Sequence, residues 1–62
     1  MELNREQAIE EIRKGHMITI VAGENVYTAC DYIITGTDNI QWVTLVHNQF
    51  IPDMLVTAYI TW

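Results

Sequence analysis

Val26-Tyr27-Thr28-Ala29-Cys30-Asp31-Tyr32-Ile33-Ile34 is the stretch whose reading decides the fold. It is rich in β-branched and aromatic residues and bounded by turn-forming clusters, which is the signature of a strand. Side chains alternate across a strand with a period of two. Strict alternation puts Val26, Thr28, Cys30, Tyr32 and Ile34 on one face, and Tyr27, Ala29, Asp31 and Ile33 on the other. Gly23-Glu24-Asn25 precedes the run and Thr35-Gly36-Thr37-Asp38-Asn39 follows it, both strong turn signals. Residues 17–22 are therefore expected as the strand before it and residues 40–47 as the strand after it, with a fourth strand at 54–62. A loop at 48–53 containing Pro52 connects the last two. In the third strand Ile40, Trp42, Thr44 and Val46 oppose Gln41, Val43, Leu45 and His47. In the fourth, Met54, Val56, Ala58, Ile60 and Trp62 oppose Leu55, Thr57, Tyr59 and Thr61.

Upstream the period changes. Asn4 is a favoured N-cap, and Gln7 three residues later completes a capping-box pattern. Glu6 lies in the first turn and Arg13 and Lys14 in the last, which complements the helix dipole. Gly15 is placed to end the helix. Ala8, Ile9 and Ile12 form one apolar stripe, and Arg5, Glu6, Glu10, Arg13 and Lys14 take the other side.

These readings define an α+β chain of one domain, residues 1–62. One N-terminal amphipathic helix packs on a four-stranded antiparallel meander, order αββββ. One helix of about three turns covers one side of such a sheet. The other side still carries Tyr27, Ile33, Val43, Leu45, Leu55 and Tyr59. An apolar face of that size is unusual on a monomer. The sheet is expected either to curl toward a small barrel or to pack against another copy, so a homo-oligomer is expected.

Composition agrees with this. A chain of 62 residues buries about 60% of its unfolded surface and is marginal alone. Cys30 is the single cysteine, so no internal disulfide can brace it. Net charge is −5, and all three basic residues, Arg5, Arg13 and Lys14, lie in the first 14. Nucleic-acid binding requires a basic surface, so DNA and RNA are not expected as direct partners. No apolar run reaches the roughly 18 residues that a membrane helix needs. The charged, amphipathic first 14 residues do not read as a signal peptide. Membrane contact is not expected, and a cytoplasmic location is, in the host cell if the gene is viral.

Catalytic motifs are absent: there is no Gly-x-Ser-x-Gly, phosphate loop or His-Glu-x-x-His. His16 reads as a C-terminal helix charge. The spacing of Asp31, His47 and Asp53 is not diagnostic of a metal site. Asp31 follows Cys30 in a strand and points to the opposite face, so it cannot act as that thiol's base. No cofactor, metal or enzymatic activity is expected. Binding is, with Tyr27, Asp31, Trp42, His47, Phe50 and Tyr59 as the candidate contact residues. Tyr and Trp dominate interface hot spots. Phe50 stands in a loop, and Asp31 is a charge in mid-strand.

Ala8-Ile9-Glu10-Glu11-Ile12-Arg13-Lys14-Gly15-His16-Met17-Ile18 resembles the opening helix, Lys-Gly turn and first strand of small phage proteins that counter the Thoeris defence system. Asp53-Met54-Leu55-Val56-Thr57-Ala58-Tyr59 resembles their closing segment, with Tyr59 at its closing aromatic. Gly23-Glu24-Asn25 keeps the glycine and asparagine of that family's Gly-Trp-Asn but not its tryptophan. The resemblance implies an oligomeric sponge for a cyclic nucleotide signal. Size, acidity and expected self-association also suit a phage or mobile-element inhibitor that binds a host or defence protein, or a structural assembly module.

Overall fold

The computed structural model describes residues 1–61; Trp62, the end of the expected fourth strand, lies outside the described residues. The chain runs β1 (Glu2–Leu3), α1 (Arg5–Arg13), β2 (Ile18–Ala22), β3 (Asn25–Thr35), β4 (Asn39–Thr44), β5 (Phe50–Pro52), a 3-10 turn (Asp53–Leu55) and β6 (Ala58–Ile60).

The helix follows its sequence signals. Asn4 Oδ1 accepts from the Gln7 backbone N–H at 2.8 Å, and the Asn4 N–H donates to Gln7 Oε1 at 3.0 Å. The capping box is complete. At the other end Gly15 has a φ of 86°. Its N–H donates to the Ile12 carbonyl and that of His16 to the Glu11 carbonyl, the two bonds of a Schellman ending. Glycine serves here because its φ lies where a side chain is strained.

The sheet is antiparallel throughout but is not the four-stranded meander. It has six strands in the order β1-β6-β2-β3-β4-β5. The segment expected as a loop at 48–53 contains β5, and the segment expected as one strand at 54–62 begins in the 3-10 turn. β6 does not lie beside β4. It returns to the far side of β2, where it also collects β1. Pro52 is compatible with strand β5 because its position opposite Gln41 asks for no N–H: Gln41 turns its own backbone groups toward β3.

The largest departure is inside β3. Ala29 is opposite Thr44 and Asp31 opposite Val43, so two steps on β3 match one on β4. Cys30 is the extra residue of a β-bulge. Strict alternation therefore holds only up to Ala29. Residues directly opposite each other share a face. One concave row runs Leu3, Tyr59, Ile20, Tyr27 across β1, β6, β2 and β3. Beyond the bulge a second concave row runs Tyr32, Trp42, Ile51. Tyr27, Ala29 and Tyr32 thus face the same side, contrary to the simple two-face reading.

The concave face is the core. Leu3, Ala8, Ile12, Ile18, Ile20, Ala29, Ile40 and Trp42 are buried there, with α1 supplying Ala8 and Ile12. The sheet is bent around them. The ring centroids of Trp42 on β4 and Tyr59 on β6 are 5.6 Å apart. Three strand spacings separate those strands, about 14 Å in a flat sheet. The sheet curls but does not close into a barrel: β1 and β5 remain its edges.

The caps set a first expectation. Asn4→Ala removes the bond that Asn4 Oδ1 accepts from the Gln7 N–H and costs about 1 kcal/mol. In a domain this small that lowers the melting temperature by about 4–8 °C, read by circular dichroism.

Candidate binding face

The structure divides the six candidate residues. Trp42 is fully buried, and Tyr59 packs on it, so both belong to the core rather than to an open surface. Their polar atoms converge on Asp53 in the 3-10 turn. Trp42 Nε1 donates to Asp53 Oδ1 at 2.9 Å, and the Tyr59 hydroxyl donates to the same oxygen. Arg5 of α1 stands 3.6 Å from Asp53 Oδ2. Burial first, then the Asp53 carboxylate, pushes the Tyr59 phenol well above its ordinary value of 10.0. The sequence carried a signal for this arrangement: an indole N–H in a core must find an acceptor.

Tyr27 is half-buried at the other end of the concave side. It shares a shallow depression with His47, Thr44 and Val46. His47 is not at a strand end but in the turn after β4, where it and Asn48 adopt positive φ values of 69° and 49°. Thr44 holds that turn: its hydroxyl donates to the Val46 carbonyl and accepts from the Gln49 N–H. The depression is lined mainly by apolar groups and hydroxyls and holds no acid–base pair.

Asp31 and Phe50 do come together. The row Asp31, Val43, Phe50 runs across β3, β4 and β5 on the convex face, and the neighbouring row is Ile33, Gln41, Pro52. Phe50 is 55% exposed and Ile33 40% exposed. Val26 lies on the same face in the row Ala58, Val21, Val26 and is also exposed. Strict alternation places Tyr27 and Tyr59 on the apolar second face. The bulge and the curl put both tyrosines inside and leave Val26, Ile33 and Phe50 outside.

Charge is partitioned between the two sides. The three cations all lie on or next to α1, which covers the concave face. Each has a partner there: Arg5 with Asp53, Lys14 with Glu10 and Glu11, and Arg13 Nε donating to the Tyr32 hydroxyl at 3.0 Å. His16 Nδ1 lies 3.0 Å from Glu11 Oε1, and these contacts hold the Glu11 carboxyl below its usual value. The convex face carries Asp31 and Glu2, with Glu24 and Asp38 in the adjoining turns, and no Lys or Arg.

Asp31, His47 and Asp53 do not converge: Asp31 is on the convex face, and Asp53 points its carboxylate into the concave one. Among the described residues no group of three or more His, Cys, Asp or Glu is placed to hold a metal ion. Among the same residues no helix is long and apolar enough to cross a membrane. No protein-family model matches the chain, and neither the curated proteins nor the solved structures show a significant match.

The Asp53 cluster gives two measurable outcomes. Asp53→Ala leaves the buried Trp42 N–H without its acceptor and destabilises by about 1–3 kcal/mol, read by urea titration of Trp fluorescence. The raised Tyr59 phenol makes folding favour its protonated form. That contribution is full below the unfolded value of 10.0 and declines as pH rises above it. Stability measured from pH 8 to 11 therefore falls more steeply in the native chain than in Tyr59→Phe.

Proposed function

We propose that this chain is a small, non-catalytic binding protein that docks the convex face of its sheet onto another protein. The observation that carries this reading is the row of exposed Asp31, half-buried Val43 and exposed Phe50, flanked by exposed Ile33, on a face without Lys or Arg. An apolar centre with an acidic border is complementary to an apolar surface bordered by Lys and Arg. A basic nucleic-acid groove on an enzyme has that chemistry. The biological setting this suits is inhibition of a bacterial defence or host protein by a phage or mobile-element product. The nucleotide-sponge reading has less support. A phosphate ligand needs available cations or a free helix N-terminus. Here Arg5, Arg13 and Lys14 are engaged, and the N-terminus of α1 is capped by Asn4.

The test is capture of a bacterial protein by tagged chain, compared across substitutions. Phe50→Asp and Asp31→Lys each lower retention about tenfold or more, as loss of a central anchor or a charge reversal does. Met54→Asp, at an exposed site on the 3-10 turn, leaves retention unchanged. Equal retention by all three variants overturns the convex face as the docking surface. A thermal shift with cyclic dinucleotides that exceeds any shift from protein partners favours the sponge instead.

A further inference from the structure

The outer edge of β3 has unused pairing capacity. β3 has eleven residues, but β2 pairs only with Asn25 to Ala29. Beyond the bulge, residues 30–35 are paired with β4 on one side and with no described strand on the other. The Tyr32 N–H locates the phase of the ladder: it donates to Asp31 Oδ1 at 2.8 Å and so is not given to β4. In an antiparallel pair, bonded and non-bonded positions alternate. Asp31, Ile33 and Thr35 therefore face β4, opposite Val43, Gln41 and Asn39. Tyr32 and Ile34 turn their N–H and C=O groups outward. This phase also explains why Pro52 sits harmlessly opposite Gln41.

Side chains along this edge are exposed on both faces, Ile33 at 40% and Ile34 at 61%. An exposed apolar edge with aligned donors and acceptors is a template for another strand. We infer that this edge pairs with the same edge of a second copy, joining the two six-stranded sheets into one continuous antiparallel sheet. An antiparallel edge is complementary to itself about a two-fold axis. With Ile33 on the axis, the outward groups of Tyr32 in each copy meet those of Ile34 in the other. Asp31 then lies opposite Thr35. The two Asp31 residues are offset by four positions, about 13 Å along the strand, which is beyond the roughly 8 Å screening length at physiological salt. The acidic side chains thus do not oppose pairing in this register.

Asp31 has a second role at this edge. Its carboxylate occupies the Tyr32 N–H that the partner strand needs. Pairing displaces it, so Asp31 acts as a guard that keeps association weak and reversible. Edge pairing shares Asp31 and Ile33 with convex-face docking, but Phe50 takes no part in it, so Phe50 separates the two.

Sedimentation velocity from low micromolar to millimolar concentration tests it. The native chain passes from monomer to dimer over that range. Asp31→Ala dimerises about tenfold more tightly, because it frees the Tyr32 N–H. Ile34→Pro removes one outward donor but no β3–β4 bond, and stays monomeric; Ile34→Thr keeps the donor and still dimerises. Phe50→Asp dimerises like the native chain even where it loses a captured partner. If Ile34→Pro fails to fold, amide exchange of the native chain decides: Tyr32 and Ile34 become protected as concentration rises. A native chain and Asp31→Ala that both stay monomeric, an Ile34→Pro dimer as tight as the native one, or exchange at Tyr32 and Ile34 that does not change with concentration overturns the inference.

Discussion

The carboxylate of Asp53 is where separate parts of the chain are tied together. It accepts from Trp42 of β4 and Tyr59 of β6, and it faces Arg5 of α1. The topology needs such a tie. β5 is at one edge of the sheet, and β6 must travel back to the other side of β2. The 3-10 turn that begins this return is short and has no buried side chain of its own. Its anchorage is Asp53, held by an indole and a phenol that would otherwise be buried without acceptors. The same contacts hold Trp42 and Tyr59 against each other across the bend. Curl, return path and core are thus one arrangement, and a carboxylate sits at its centre.

The bulge at Cys30 is the second determinant. One extra residue re-phases β3, so that Tyr27 and Ala29 before it and Tyr32 after it all face the helix. The bulge also lies where β2 leaves β3. The downstream half of β3 is carried on with β4 alone, and its other edge is open. The composition of the convex face follows from the same shift. It moves Asp31 and Ile33 outward beside Val43, Gln41 and Phe50, away from every cation in the chain.

Much of the local structure was legible. Asn4, Gln7 and Gly15 mark the helix because capping depends on neighbours three or four residues away. The turns around Gly23 and Gly36 mark the hairpins for a similar reason, and β2, β3 and β4 fall close to their expected places. The short strands were not legible. β1 has two residues and β5 three, too few to show a period, and both exist only because a distant strand pairs with them. Among the candidate contact residues, Trp42 and Tyr59 have a chemistry that suits a core as well as an interface. Asp31 and Phe50 are separated by almost twenty positions, and only the β3–β4–β5 register puts them in one row.

What the sequence by itself determined is the set of features that depend on near neighbours: the capped helix, its apolar stripe, the hairpin turns, and the confinement of positive charge to the first 14 residues. Tertiary structure alone decided the strand order, the curl and the identity of the outer face. The physical reason is that alternation has a period of two, so a single unpaired residue reverses every side chain beyond it. Whether that residue is accommodated as a bulge depends on the strand alongside, and on the core that Trp42, Tyr59 and Asp53 build across it.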